Sequence, residues 1–186
     1  MLLNVRSAVG LLVLVLALTV LGTPQAVVAG SAGEIDRSVD NALGLLFKSN
    51  PDARNLSERA KGILVFPDIV KAGFLLGAQY GEGALRQRGR TTGYYNSVAA
   101  SYGLQAGVQV FGYALFFMSE SALRYLDTSG GFEVGSGPSI VILDTGGARA
   151  LTTSTIQSDI YAVFFDQKGL MAGLGLQGSK ISRLEK

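Results

Sequence analysis

Three arginines at every second position are the residues in this chain best suited to bind an anion. Arg86, Arg88 and Arg90 would project their guanidinium groups from one face of an extended segment. The planar guanidinium fork matches the geometry of a phosphate group. Tyr94 and Tyr95 follow, and tyrosine is a residue type found at lipid–water interfaces. The pattern predicts a lipid-headgroup site, with a solvated edge strand whose charges prevent sheet pairing as the alternative.

Residues for enzyme chemistry are scarce. The chain has no histidine and no cysteine, so a hydrolytic site would need a Ser–Lys pair or paired carboxylates. Ser101 lacks the G-x-S-x-G spacing of a nucleophile elbow, and Ser179 and Lys180 are adjacent, which is not a catalytic spacing. No phosphate-binding or dinucleotide glycine motif occurs. The sequence predicts a non-enzyme with no catalytic residues, no metal site and no cofactor.

Composition predicts one folded domain without a nucleic-acid partner. The 186 residues are 48% hydrophobic and 16% charged, which is too apolar for a disordered chain. The net charge of +2 gives no bulk electrostatic attraction to nucleic acid. The lack of cysteine excludes disulfides and thiolate metal sites.

Residues 1–29 have the pattern of a secretory signal peptide. Arg6 precedes an apolar run over residues 9–21, and Val27 and Ala29 place small residues at −3 and −1 before Gly30. The run is shorter than the ~20 residues of a spanning helix. We expect an exported protein, periplasmic or secreted, with a peripheral position at the outer membrane as one option. A leader retained as an anchor is the alternative.

An amphipathic helix is predicted over residues 34–48. Its apolar residues share one helical face: Ile35, Val39, Ala42, Leu43, Leu46 and Phe47. The face of a surface helix usually packs on a sheet, and we favour that interpretation. The alternative is a membrane-bound helix, with Ile35, Val39, Leu43, Leu46 and Phe47 as the lipid-facing residues. Further helices are predicted over residues 51–61 and 120–126.

Strands are predicted over most of the chain between residues 63 and 177. The predicted segments are residues 63–66 closed by Pro67, 73–80 paired with 82–88 around Gly81, 97–110 continuing after a kink into 111–118, then 138–143, 160–166 and 169–177. The fold class is therefore α+β and β-rich, with a strongly coiled, mostly antiparallel sheet, an option of a half-closed barrel, N-terminal helices and one middle helix. A Gly-apolar-x-x-Gly frame begins at Gly73, Gly103 and Gly169. It indicates tight sheet curvature or, alternatively, a ligand groove.

A series of short blocks carries a family resemblance. The blocks are AKGILVFP at 60–67, KAGF at 71–74, Gly77, YGEG at 80–83, GYYN at 93–96, SYGLQAG at 101–107, FFM at 116–118, KGLMAG at 168–173 and GSKI at 178–181. In this order they resemble the SYLF family over about residues 34–186. The domain assignment is a signal peptide at 1–29 and one SYLF-like domain at 30–186.

The resemblance implies binding to lipid. Eukaryotic members of the family bind phosphoinositides and actin, and bacterial members look like exported envelope proteins with suspected lipid binding. Actin is an unlikely partner for an exported chain. Family lipid binding is attributed to a basic N-terminal amphipathic segment, whereas the first helix here carries Glu34, Asp36 and Asp40 against Arg37 and Lys48. We expect a non-catalytic protein that binds a membrane surface through anionic phospholipid or phosphoinositide-like headgroups. The alternatives are a structural or protein-interaction module with an envelope partner, and a carrier of a hydrophobic ligand.

Overall fold

A computed structural model describes residues 29–127, 132–134, 137–143, 158–169 and 178–186, with backbone alone at 101–106. Helix α1 spans Ala32–Ser49 and starts with the capping box that Ser31 and Glu34 form. Helix α2 spans Pro51–Arg59, and the Asn50 side chain accepts hydrogen bonds from its first turn. Helix α3 spans Glu120–Tyr125. The three predicted helices are confirmed. None of the helices in the described ranges is both long enough and apolar enough to cross a membrane.

Two very long strands form one antiparallel hairpin. Strand β1 spans Gly62–Gln87 and β2 spans Arg90–Phe117, and they pair along almost their whole length. The turn between them is Arg88-Gly89, with φ of 51° and 76° at these residues. Positive φ at both central residues is the pattern of type I′ hairpin turns, whose twist matches that of the strands. The predicted strand pair around Gly81 is wrong, because the chain continues through this residue as part of β1.

Pro67 does not end the first strand. It lies inside β1, where the register with β2 shifts between Phe66 and Ile69. A bulge accommodates proline because the ladder hydrogen bond that proline cannot donate is already missing there. The predicted end of the strand at Pro67 is therefore wrong.

The hairpin is folded double near its middle. At the bend, Phe74 pairs with Ala106 and Leu76 with Tyr102, so the register shifts between Phe74 and Leu76. A side chain on Gly73 would collide with the backbone of Gly77. The glycine frame at residue 73 therefore serves tight curvature, as one of its two interpretations predicted. The frame at Gly169 continues beyond the described residues.

The second half of β1 packs closely on the first half. A Cβ on Gly81 would lie 2.5 Å from the carbonyl oxygen of Asp68, and one on Gly83 would collide with the carbonyl oxygen of Val65. Glycine is needed at these positions because two backbone layers meet there without side chains between them.

The remaining strands extend the sheet from β2. They are β3 (Phe132–Glu133), β4 (Ile140–Leu143), β5 (Ile160–Gly169) and β6 (Lys180–Leu184). Over the described residues the order is β3-β6-β2-β5-β4, with β1 also paired to β2. The β4–β5 pair is parallel and the others are antiparallel. The strongly curled mixed sheet forms a half-barrel with a few helices, which confirms the predicted fold class.

Three strand predictions had different outcomes. The strands predicted at 138–143 and 160–166 are confirmed within a few residues as β4 and β5. Strands β3 and β6 were not predicted. The strand predicted over 169–177 lies outside the described residues from residue 170 onward.

The sheet is covered by apolar side chains on both faces. An inner cluster fills the half-barrel and includes Leu64, Phe66, Phe111, Tyr113 and Phe164. An outer cluster lies between the helices and the sheet, and it includes Ile35, Val39, Leu46, Leu56, Val65, Phe116 and Val163. The continuous apolar run over residues 63–66 follows from this arrangement, because alternate side chains of one strand enter different clusters.

Candidate functional site

Large apolar side chains are exposed at the bend of the hairpin. We call this surface the apolar tip; it comprises Val70, Phe74, Leu75, Leu76 and Val108. The side chains of Phe74 and Leu76 are 74% and 68% exposed, and the other three are between 48% and 56% exposed. Single exposed apolar residues are common on proteins, but a cluster of five at one end of a domain indicates a contact surface.

The backbone of the apolar tip is strained at Leu75. Its φ of 61° lies in the left-handed region, which leucine rarely adopts. Such a residue costs about 1–3 kcal/mol and persists where the surrounding structure demands it. Here the close approach of Gly73 and Gly77 forces the reversal, which leaves Phe74 and Leu76 protruding.

The tip was missed because residues 74–76 look like an ordinary buried strand in the sequence. Three consecutive apolar residues after a strand-like run favour burial. The available signal was the pair of flanking glycines, Gly73 and Gly77, which allow a sharp reversal.

Charges near the apolar tip are sparse and mixed in sign. Lys71 pairs with Gln109 in the ladder, and Lys168 pairs with Val110. The Lys168 ammonium lies 2.8 Å from the Asp166 carboxylate, which raises the pKa of Lys168 through a hydrogen bond and charge attraction. The tip is therefore an apolar surface with a weakly charged border.

A basic groove lies where α1, α2 and the β1–β2 turn meet. Its volume is about 1160 Å³. Five cationic residues line the groove: Arg59, Lys61, Arg86, Arg88 and Arg90. The lining also contains two apolar side chains of α1, Leu43 and Phe47, and three acidic residues, Asp40, Glu58 and Glu120. All three arginines of the predicted headgroup site are thus brought to one groove.

The three arginines do not share one face of a strand, so that part of the prediction is wrong. Strand β1 ends at Gln87, Arg88 lies in the turn, and Arg90 begins β2. Arg88 and Arg90 are exposed. The reversal at Arg88-Gly89 breaks the alternation that an extended segment would have given.

Arg86 is bound to helix α1. Its Nη2 lies 2.6 Å from Asp40 Oδ1 and donates to the backbone oxygen of Asp36 at 3.0 Å. The arginine side chain is only 13% exposed. A headgroup would have to compete with the Asp40 carboxylate and the Asp36 carbonyl oxygen, so Arg86 is better placed to hold α1 on the sheet.

The two tyrosines also hold helices and loops. The Tyr94 hydroxyl donates to Asp36 Oδ2 at 3.0 Å. Tyr95 is fully buried and its hydroxyl lies 3.0 Å from Asp127 Oδ1, with the Arg183 guanidinium 5.8 Å from its ring centre. Burial raises the pKa of Tyr95 to about 12. The prediction that the Tyr95 ring sits at a lipid–water interface is wrong, because the ring does not reach the surface.

The apolar face of α1 packs on the sheet. Ile35, Val39 and Leu46 are at most 6% exposed, and Leu43 and Phe47 are half-buried against the outer cluster. The favoured interpretation, packing on the sheet, is confirmed. The membrane-helix alternative is wrong in this structure, because protein covers Ile35, Val39 and Leu46 and leaves only Leu43 and Phe47 partly exposed.

The apolar tip and the basic groove lie at opposite ends of the domain. Gly62, which lines the groove, is separated from Gly73 at the bend by the first half of β1. At 3.2–3.4 Å per residue, the eleven residues from Gly62 to Gly73 span at most about 35–37 Å. A flat surface that meets the tip therefore does not meet the arginines.

Metal chemistry has no support in the described ranges, where no cluster of three histidine, cysteine or carboxylate side chains could hold an ion. No curated protein matches the chain. Residues 98–186 match the family Ysc84, described as Las17-binding protein actin regulator. Over these residues the chain is consistent with a member of the SYLF family, as the sequence blocks predicted, and at family level this indicates a binding module related to lipid or actin.

Proposed function

We propose that this chain is a non-catalytic, exported envelope protein that binds a lipid surface through the apolar tip. The exposure of Phe74 and Leu76 at the bend is the observation that carries the proposal. Moving exposed apolar surface out of water is favourable by about 25 cal/mol per Å². A protruding tip can enter the boundary between headgroups and acyl chains of a fluid bilayer without a preformed pocket.

The proposal changes the expected mode of binding. Electrostatic capture by Arg86, Arg88 and Arg90 would place the opposite end of the domain on the membrane and leave the apolar tip in water. Lys71 and Lys168 border the tip, and each basic residue near an anionic surface adds about 1 kcal/mol. Because Lys168 already pairs with Asp166, we expect only a modest preference for anionic lipid.

Export remains part of the proposal. It is supported by the leader pattern of residues 1–29. The proposed location is the periplasm or the exterior, with the protein peripheral to a membrane. An apolar tip on a peripheral protein gives reversible attachment, which a spanning helix would not.

A protein partner is the second candidate function. Among the described strands, β4 is the last of the sheet order, and its Val141 and Ile142 are 37% and 51% exposed. A strand at the edge of a sheet can accept a strand from another protein. The third alternative, a carrier of a hydrophobic ligand, is less well supported, because aromatic rings such as Phe66 and Tyr113, with centroids 4.9 Å apart, fill the inner cluster.

Vesicle co-sedimentation tests the proposal. Residues 30–186 are incubated with phosphatidylcholine vesicles and with vesicles containing phosphatidylglycerol, each at low and high salt. We expect binding to both vesicle types, at most several-fold stronger to the anionic vesicles, and largely retained at high salt. Binding only to anionic vesicles that salt abolishes would favour the arginines over the tip. No binding to either would favour the protein-interaction alternative.

A further inference from the structure

Glu82 is the centre of a cluster that joins the two ends of the described domain. The backbone nitrogen of Gly30 donates to Glu82 Oε2 at 3.0 Å, and the Tyr80 hydroxyl donates to Oε1 at 2.8 Å. The Lys186 ammonium lies 3.2 Å from Glu82 Oε2 and donates to the Gly30 carbonyl oxygen at 2.6 Å. We call these four residues the Glu82 cluster.

The Glu82 cluster is largely shielded from water. The side chains of Glu82 and Lys186 are 10% and 12% exposed. An ion pair with this little exposure is screened less by salt and solvent than a surface pair. A new charge placed here would therefore have a measurable effect on stability.

Gly30 is also the residue at the predicted cleavage site of the leader. The Ala29–Gly30 bond follows the small residues at −3 and −1. Ala29 is exposed, and residues 29 and 30 precede α1 in irregular backbone. Ser31 caps α1 directly after Gly30, so the helix fixes the position of the Gly30 nitrogen beside Glu82.

We infer that cleavage of the Ala29–Gly30 bond creates a binding group, the α-ammonium of Gly30, which forms an ion pair with the Glu82 carboxylate. A signal peptidase hydrolyses the bond with one water molecule. The carbonyl of Ala29 becomes a carboxylate on the released leader, and the nitrogen of Gly30 becomes an amine that takes up a proton. The peptide N–H, a single neutral donor, is replaced by a cation with three donors at the same position.

The charges around Gly30 favour this cation. The cavity beside Gly30 is lined by Glu34 of α1 and by Asp68, Tyr80 and Glu82 of β1. Lys186 is the neighbouring cation, and its ammonium lies 3.2 Å from the same Glu82 Oε2 that the Gly30 nitrogen contacts. Burial and the neighbouring Glu82 raise the pKa of Tyr80 to about 12, so Tyr80 is neutral at physiological pH. The Glu82 carboxylate contacts the Gly30 nitrogen, and the carboxylates of Glu34 and Asp68 line the same cavity.

The ion pair would make the processed protein more stable than its precursor. An α-amino group has a pKa of about 7.7–8.0 in an unfolded chain, and an adjacent carboxylate raises it in the folded state. The added stability is fully present below pH ~7.7 and is lost as the pH rises through the raised folded value. The domain would thus gain stability when the leader is removed, independently of whether the apolar tip binds lipid.

Four preparations of residues 30–186 test the inference: one with a free Gly30 amine, one with this amine acetylated, and both forms again with Glu82→Gln. The pKa of the free amine is measured by NMR on protein labelled with ¹⁵N-glycine. We expect a rise of about one unit above 7.7–8.0 in the unmutated protein, which corresponds to a tenfold larger ratio of folded to unfolded protein when the amine is charged than when it is neutral. The acetylated form serves as the uncharged reference. Urea unfolding at pH 6.5 measures this ratio, and at pH 10 the difference should be lost.

The Glu82→Gln substitution separates the ion pair from a general structural role of Glu82. It removes the difference between free and acetylated forms even if it lowers the stability of both. A free-amine pKa at or below 8.0, with equal unfolding of the free and acetylated forms, would overturn the ion pair. The full chain is also expressed in an exporting host and its mature N-terminus is sequenced; a start at any residue other than Gly30 would overturn the cleavage step.

Discussion

Replacing Phe74 and Leu76 together by serine should abolish most lipid binding while leaving the domain folded. The two side chains are 74% and 68% exposed, so the substitutions remove apolar surface from the tip and almost nothing from the core. Substitutions at exposed sites usually change the unfolding free energy by no more than about 0.5 kcal/mol. The loss should therefore appear in binding alone.

The size of the loss follows from the exposed fractions. Complete burial of a phenylalanine or leucine side chain contributes about 1.5–3 kcal/mol. Transfer of the exposed parts of Phe74 and Leu76 to the membrane therefore contributes roughly 1–2 kcal/mol each. Their joint removal should weaken vesicle partitioning by roughly 30- to 1,000-fold, since 1.4 kcal/mol is a factor of ten.

Partition coefficients are measured by titrating the protein with vesicles that contain phosphatidylglycerol. The matched control replaces Arg88 and Arg90, at the opposite end of the domain, by serine. It should alter partitioning less than about threefold, because these residues lie at the β1–β2 turn, separated from the bend by the second half of β1. Unfolding curves of both variants verify that the fold is retained. Unchanged partitioning of the tip variant would refute the reasoning, and a larger loss in the arginine variant would locate the membrane at the basic groove.

Three further predictions concern stability and are measured by urea unfolding. Gly83→Ala places a methyl group against the carbonyl oxygen of Val65 and should lower the unfolding free energy by about 1–3 kcal/mol. Gly44→Ala, which has open space around it in α1, should raise the unfolding free energy by about 0.5–1 kcal/mol. The reverse order of stability would contradict the close packing of the two halves of β1. Leu46→Ala should cost about 2–5 kcal/mol because this side chain is 2% exposed, and a negligible cost would show that α1 is not anchored on the sheet. The pKa of Tyr95 is raised to about 12, so its neutral hydroxyl stabilises the fold fully below pH ~10, and this contribution is lost as the pH rises to ~12. The unfolding free energy of a Tyr95→Phe variant should therefore fall less steeply over this pH range. An equally steep fall in the variant would contradict this role of Tyr95.

The helices were predictable because their signals are local. Ser31 and Glu34 lie three residues apart, and the spacing of Ile35, Val39 and Leu46 marks one helical face. The prediction that this face packs on the sheet, and not on a membrane, was also possible from the sequence, because the apolar face of a surface helix usually packs on its own domain. The long-range contacts that hold α1 on the sheet could not be predicted from the sequence.

The candidate site was less predictable because its determinants join distant residues. Arg86 binds Asp40, 46 positions away, and nothing in the arginine spacing indicates this partner. The alternation of the three arginines depends on an extended backbone, and the turn at Arg88-Gly89 removes it. Arginine followed by glycine is a weaker turn signal than asparagine followed by glycine, so the hairpin was placed elsewhere.

The bend in the hairpin posed a related difficulty. Apolar periodicity tells which side chains can share a face, but it does not tell whether a strand continues straight or folds back on itself. Gly73, Gly77, Gly81 and Gly83 acquire their meaning only when the two halves of β1 are seen in contact. Likewise, the pairing of β6 with β2 joins Ile181 to Ser97, and no local pattern announces it.

A hairpin folded double also restricts how this protein can change in length. The stretch from the bend at Leu76 to Leu85 pairs in one continuous register with the stretch from Gly93 to Tyr102. Inserting a single residue there would rotate every later side chain of that strand to the opposite face, exchanging core and surface positions. Related chains should therefore differ in sequence but not in residue count between these points, with insertions and deletions concentrated outside the hairpin. The number of residues between these points would then identify the fold better than any sequence motif within the hairpin.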